Sequence, residues 1–188
     1  MPETIRTFIA FELPGHVTNA IHKIQEVVKA YNFNIRWVRP ENIHLTLKFL
    51  GNINPADIEI IGRVMDDTAE PYAPFSLKAK GIGVFPGLKR PRVIWIGIGG
   101  QIEPLVGLQQ NLDEKLNTIG FSQEKRLFKG HLTLGRVKGK IDSHRLSVVL
   151  KKYNHFESEA FTAGTIVLYK SDLQPTGSLY TKLLEVAL

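Results

Sequence analysis

The chain has no cysteine among its 188 residues, which removes disulfide frameworks, thiol nucleophiles and thiolate metal sites and suits a reducing compartment. Its longest apolar-rich run, Val93 to Gly100, falls far short of the roughly 20 residues that a membrane-spanning helix needs. The opening Met1-Pro-Glu-Thr carries neither the charged nor the apolar region of a secretory signal. These absences point to a cytoplasmic protein that neither enters nor crosses a membrane.

Reactive motifs of several large enzyme classes are missing too. There is no His-Glu-x-x-His or similar cluster for zinc, no Gly-x-x-x-x-Gly-Lys-[Ser/Thr] phosphate loop and no Gly-x-Ser-x-Gly nucleophile elbow. Gly97-Ile-Gly99-Gly100 lacks the dinucleotide-binding spacing and reads as a strand end. No metal or other cofactor is expected. Acidic residues are absent from Lys125 to Lys140, where Lys125, Arg126, Lys129, Arg136, Lys138 and Lys140 accumulate. The whole chain carries 24 basic and 18 acidic residues, a net charge of +6. A basic run around a reactive motif attracts phosphate.

That motif is a tetrapeptide written twice. Asn-Ile-His44-Leu-Thr46-Leu-Lys-Phe-Leu-Gly and Lys-Gly-His131-Leu-Thr133-Leu-Gly-Arg136 share His-Leu-Thr-Leu. On a strand, side chains alternate between faces, so His44 and Thr46 share one face while Leu45 and Leu47 take the other; His131 and Thr133 repeat this over Leu132 and Leu134. Lys48, two residues beyond Thr46, is expected on the same face, and Lys48, Arg126 and Lys129 are candidate RNA contacts. Lys89, Arg90 and Arg92 extend the basic surface more weakly. His16, His22, His144 and His155 have no such context and read as surface residues.

The order of elements repeats as well. Ile5 to Phe11 reads as a strand; Val17, Ala20, Ile21, Ile24, Val27 and Val28 mark an amphipathic helix. The His44 strand follows, then a turn from Gly51 to Pro55, a helix through Ile58, Ile61, Val64 and Met65, and a strand from Phe75 to Val84. After Pro86-Gly-Leu-Lys-Arg-Pro91 the sequence predicts a strand over Arg92–Ile98, a helix through Leu105, Leu108, Leu112 and Leu116, and the His131 strand. A helix through Leu146, Val149, Leu150 and Tyr153 and a strand from Phe161 to Tyr169 follow. Arg6 to His44 spans 38 residues and Arg92 to His131 spans 39. The expectation is an α+β fold of two pseudo-twofold-related β-α-β-α-β lobes, about 1–87 and 88–188, whose antiparallel sheets line a central cleft. The half-polar alternation of the histidine strands favours antiparallel sheets with one open face. The tail, Leu168 to Val186, reads as a hairpin turning near Pro175-Thr-Gly177, able to cross back to the first lobe.

Two imidazoles flanking one anion can divide the labour of in-line displacement at phosphorus. One neutral ring removes a proton from the incoming oxygen and one imidazolium protonates the departing oxygen, while the threonine hydroxyls bind the non-bridging oxygens.

These residues resemble the two-histidine phosphoesterases, and within them the LigT-like RNA 2′,3′-cyclic phosphodiesterases first described as 2′-5′ RNA ligases. The resemblance covers nearly the whole chain and includes Phe8-Ile-Ala-Phe-Glu-Leu-Pro14, Arg92-Val-Ile-Trp95-Ile-Gly97, Leu168-Tyr-Lys-Ser171 and Gly177-Ser-Leu-Tyr180-Thr-Lys-Leu183. It implies metal-independent hydrolysis of a 2′,3′-cyclic phosphate at an RNA end, tRNA fragments among such ends, to a 2′-phosphomonoester; a monomer is expected, since nothing in the sequence suggests an obligate oligomer. His44 maps to the proton donor and His131 to the proton acceptor; Thr46, Thr133 and Arg136 map to phosphate-binding residues. Reversible 2′-5′ ligation belongs to the same repertoire. Many relatives carry proline where this chain has Gly130. Phe11, Trp37 and Phe128 are candidates for stacking on the terminal base. The alternatives are a non-catalytic RNA-binding module and a sister esterase acting on small cyclic nucleotides.

Overall fold

A computed structural model describes residues 3–175 and 177–188. Met1, Pro2 and Thr176 lie outside it, and with them the start of the expected leaderless terminus and the middle of the expected Pro175-Thr-Gly177 turn. In chain order the elements are β1 (Ile5–Phe11), α1 (Gly15–Lys29), β2 (Ile35–Trp37), β3 (Leu45–Ile53), α2 (Ile58–Ala69) and β4 (Phe75–Phe85). Then come β5 (Val93–Gly100), α3 (Ile102–Thr118), β6 (His131–Val137), α4 (Ser143–Lys152), β7 (Phe161–Ala163), β8 (Thr165–Gln174) and β9 (Gly177–Ala187). Two antiparallel sheets result, ordered β3-β1-β8-β9 and β2-β6-β5-β4-β7. The fold is α+β with antiparallel sheets, as the half-polar alternation of the histidine strands predicts, and the open sheet faces line a central cleft.

Helix periodicity explains the other layer. Val17, Ile21, Ile24 and Val28 form the inward stripe of α1, and Leu105, Leu108, Leu112 and Leu116 that of α3. They join Ile9, Phe11, Leu45 and Leu47 of one sheet and Ile94, Ile96, Leu132 and Leu134 of the other in a single core. Each such side chain contributes about 1.5–3 kcal/mol by leaving water.

Two strand assignments differ from expectation. The segment predicted as one strand over Phe161–Tyr169 is divided at Gly164: β7 pairs with β4 in the five-stranded sheet, whereas β8 pairs with β1 in the other. A continuous apolar run does not reveal that its two ends have different partners. Sheet membership likewise ignores the chain's midpoint, since β2 and β4 pair with β6 and β5, while the β8–β9 hairpin returns to β1. β2, only three residues long, carries too little alternation to be read.

The register contains a repeated irregularity. On β3, Thr46 pairs with Ala10 and Lys48 with Ile9, so Leu47 is an extra residue; on β6, Thr133 pairs with Trp95 and Gly135 with Ile94, so Leu134 is extra. These are β-bulges, one after each motif threonine. A bulge turns two successive residues to the same side, and the burial agrees: Leu47 and Lys48 are both buried, as are Leu134 and Gly135.

Buried glutamines from opposite halves of the chain reach the two bulged residues. Gln25 Nε2 on α1 donates to the Leu134 carbonyl at 3.0 Å and to the Val38 carbonyl at 2.7 Å. Gln109 Nε2 on α3 donates to the Leu47 carbonyl at 3.4 Å. Because a buried polar group without a partner costs about 1–3 kcal/mol, Gln25→Leu should destabilise the fold by that order. Gln109→Leu, losing one longer bond, should cost less. Urea unfolding of the two variants measures both, and equal or negligible losses would mean that the glutamines do not support the bulges.

Candidate active site

Each motif histidine is held by the backbone two residues before it. His131 opens β6 and its Nδ1–H donates to the Lys129 carbonyl at 2.7 Å, which leaves Nε2 for other partners. His44 stands one residue before β3, not within a strand as expected, and its ring donates to the Asn42 carbonyl. Asn42 is itself anchored, its Nδ2 donating to the Ser178 carbonyl at 2.7 Å on β9. The motifs approach each other closely: a Cβ on Gly130 would sit 3.5 Å from Leu45 Cδ1, 3.5 Å from Ile98 Cγ1 and 3.4 Å from Leu105 Cδ2. These are ordinary contacts, so position 130 has room for a side chain.

The rings differ in their surroundings. His44 stacks on Phe8 with centroids 4.5 Å apart and meets the edge of Tyr180 at 5.2 Å, with Tyr169 at 6.2 Å. Phe8, Ala10, Val167 and Tyr169 form a separate apolar cluster on the open face of this sheet. His131 meets Phe85 edge-on at 5.0 Å, and Phe85 leans on Trp95 at 4.9 Å. The indole lies over Gly83, where a Cβ would fall 2.3 Å from Trp95 Cζ2. Lys129 places its ammonium 4.8 Å from the Trp95 ring centroid and 5.5 Å from that of Phe85.

Burial pushes the His44 imidazole down to about 4, against the opposing pull of the Asn42 carbonyl, because the charged form loses more solvation than one hydrogen bond restores. Burial also pushes the Tyr169 hydroxyl up to about 12. At neutral pH, His44 is therefore a neutral ring beside the neutral Tyr169 phenol.

The bulges decide which residues accompany the threonines. Thr46 and Thr133 are part-exposed, on the faces opposite the buried leucines. Past its bulge, Arg136 pairs with Val93 and shares the Thr133–Trp95 face, and the corresponding Phe49 pairs with Phe8 and shares the Thr46 face. Simple alternation would have put both on the wrong side. The same bulge corrects Lys48: it faces the core, is 8% exposed, pairs with Asp113 and donates to the Ser122 carbonyl at 2.6 Å. The other oxygen of Asp113 accepts from the Glu124 amide at 2.9 Å. Lys48 is thus a buried tie between β3 and the segment preceding His131, not an RNA contact. Arg126 and Lys129 are exposed on that segment.

The stacking candidates are corrected as well. Phe11 is 1% exposed and packs edge-on against Phe75 at 5.8 Å; Trp37 pairs with Gly135 on the core side, and Phe128 packs against the core. The aromatic residues near the histidines are Phe8, Phe49, Phe85, Trp95, Tyr169 and Tyr180. Only Phe49, at 62% exposure, offers a free ring. These residues were hard to find because Thr7-Phe-Ile-Ala-Phe11 is apolar on both faces, which hides which aromatic lies outward. His16, His22, His144 and His155 are exposed, as expected.

The family described as LigT like Phosphoesterase matches twice, at residues 11–95 and 96–180. The chain belongs to the LigT-like phosphoesterase family. The double match reflects the duplicated motif, one His-x-Thr in each segment. Among relatives, this LigT-like chain is 33% identical to the RNA 2′,3′-cyclic phosphodiesterase of Methanothermobacter thermautotrophicus, over 94% of this chain and 95% of that one. It is 36% identical to the protein of the same name from Methanocaldococcus jannaschii, over 94% and 96%. A crystal structure from Thermus thermophilus aligns with TM-score 0.77 at 26% identity, covering 98% of each chain. Escherichia coli LigT in complex with 3′-AMP has the same fold, with TM-score 0.74 at 23% identity over 99% of each chain.

The depressed His44 value has a consequence for stability. An unfolded histidine takes up its proton near pH 6.5 and the folded one near 4, so the unfolded state binds more protons between those values and stability falls as pH drops through that window. The loss approaches about 3 kcal/mol below pH 4. Urea unfolding at pH 7.5 and 4.5 should show a smaller acid loss for His44→Phe than for the wild type; an equal loss would mean that His44 titrates normally.

Proposed function

We propose that this protein hydrolyses the 2′,3′-cyclic phosphate at RNA ends to a 2′-phosphomonoester, with His44 and His131 exchanging the protons and no metal taking part. The observation that carries this reading is the paired His-x-Thr arrangement, each ring held by the carbonyl two residues before it. Relatives named for this activity, alike over nearly their full length, support the choice of substrate.

In this scheme His131 Nε2 takes a proton from water as the water oxygen bonds to phosphorus. The phosphorus–O3′ bond breaks, and His44 delivers a proton to O3′, leaving a 3′-hydroxyl and a 2′-phosphate. Thr46 and Thr133 hydroxyls and the Arg136 guanidinium bind the non-bridging oxygens, where charge accumulates. Each proton transfer contributes on the order of 10²–10⁴-fold. An RNA 5′-hydroxyl in place of water gives a 2′-5′ bond by the same exchange, the ligation that the family resemblance implies.

His44 can act as the donor only if it gains its proton with the substrate. A phosphodiester anion beside the ring supplies the favourable charge that burial otherwise withholds, so substrate binding and proton uptake are coupled. Phe49 is placed to stack on the base of the terminal nucleotide. The protein acts as a monomer in the cytoplasm, with both lobes contributing to one site.

The test is hydrolysis of a short RNA ending in a 2′,3′-cyclic phosphate, with EDTA present, by the wild type, His44→Ala and His131→Ala. The expected result is 2′-phosphate formation by the wild type, a fall of at least about 10²-fold in each variant, and a bell-shaped dependence of rate on pH. Full turnover by either variant, or a flat profile from about pH 5 to 9, would remove the two-imidazole scheme. RNA binding without turnover would point to a binding module, and turnover confined to cyclic mononucleotides would point to a sister esterase.

A further inference from the structure

The edge strand β2 carries an arrangement that sheets ordinarily avoid. Arg36 is its middle residue and is the direct cross-strand partner of Arg136 on β6. Cross-strand partners project from the same face with Cβ atoms about 4.5–5.5 Å apart, and like charges placed so destabilise the pair. Both arginines are exposed, and neither takes part in any of the eight ion pairs among the described residues. An uncompensated guanidinium pair on a site face is a ready receptor for an anion, since each planar fork can grip a phosphate with two hydrogen bonds.

Its position identifies the anion. The row Arg36–Arg136–Val93 runs across three strands beside the row Thr133–Trp95, on the same face. Residues 93 and 95 of β5 lie two apart, about 7 Å along the strand, a spacing like that of successive phosphates in an extended nucleic-acid chain. Thr133 and the neighbouring Arg136 can hold the reacting phosphate while Arg36, one row beyond Thr133 and on the outermost strand, reaches past a sheet edge with which no further described strand pairs.

We propose that Arg36, the cross-strand neighbour of Arg136, forms a second phosphate subsite that holds the phosphodiester immediately 5′ of the terminal nucleotide of the RNA. This rests on the cyclic-phosphodiesterase reading and adds to it a preference for oligonucleotide ends over cyclic mononucleotides.

Two measurements test it. The first is kcat/KM for a trinucleotide ending in a 2′,3′-cyclic phosphate divided by kcat/KM for the matching cyclic mononucleotide, for the wild type, Arg36→Gln and Arg36→Glu. Arg63→Gln serves as the control, because it removes the same charge from the exposed surface of α2. The ratio should fall about tenfold in Arg36→Gln, the scale of one charge-assisted contact, fall further in Arg36→Glu, and stay constant in Arg63→Gln. The second is binding of an oligonucleotide with an ordinary 3′-phosphate as a function of KCl. Arg36→Gln should flatten the log–log slope by about 0.7, the value for one lost phosphate contact on a single strand, with the melting temperature unchanged or raised. An unchanged ratio together with an unchanged slope, or a ratio equally reduced in Arg63→Gln, would overturn the subsite. Should the wild type cleave neither substrate, the reaction assignment fails while the salt slope still decides the subsite.

Discussion

One backbone irregularity governs how the motifs are used. A single extra residue after each threonine, Leu47 in one strand and Leu134 in the other, reverses the alternation beyond it. The histidine and threonine of each motif stay on the open face, the two residues after the threonine turn into the core, and the next residue returns to the open face. This is why Arg136 reaches the site and why Lys48, which alternation would have sent there, is buried against Asp113. Gln25 and Gln109 tie each bulge to a helix from the other half, so the two halves support one another's motifs across the core. The duplication is therefore interlocked, and its sheets exchange strands between the halves as well.

Although the motifs are copies, their settings are not. The face around His44 is apolar and aromatic, built from Phe8, Tyr169 and Tyr180, and it holds the ring uncharged. The face around His131 combines Phe85 and Trp95 with the Lys129 ammonium and, farther along, with Arg36 and Arg136. After the bulges the corresponding positions are Phe49 on one strand and Arg136 on the other. One side thus presents an exposed aromatic ring and the other an exposed cation. The two copies of one motif put their rings in unlike surroundings, one that disfavours the charged imidazole and one with cations nearby.

Much of this was legible beforehand, for identifiable reasons. The tetrapeptide repeat and the helical spacings of α1 to α4 are local patterns with a fixed period, and the repeat put Thr46, His131 and Thr133 opposite the buried leucines of their strands. What remained hidden depended on partners distant in sequence. A bulge is defined by the neighbouring strand, so Lys48 looked like a site residue and Phe49 did not. Gly164 divides an apolar run between two sheets, and no composition rule marks the division. Trp37 and Phe11 looked available for stacking because their burial is set by Gly135 and Phe75, residues far away in the chain.

Whether two unlike histidines share one anion can be tested without turnover. Titrating the protein with inorganic phosphate while following the ring nitrogens of His44 and His131 by nuclear magnetic resonance addresses it directly. Both rings should respond along one binding curve, with the His44 midpoint rising from about 4 as phosphate occupies the site. A response from only one ring, or two curves with different dissociation constants, would contradict a shared anion.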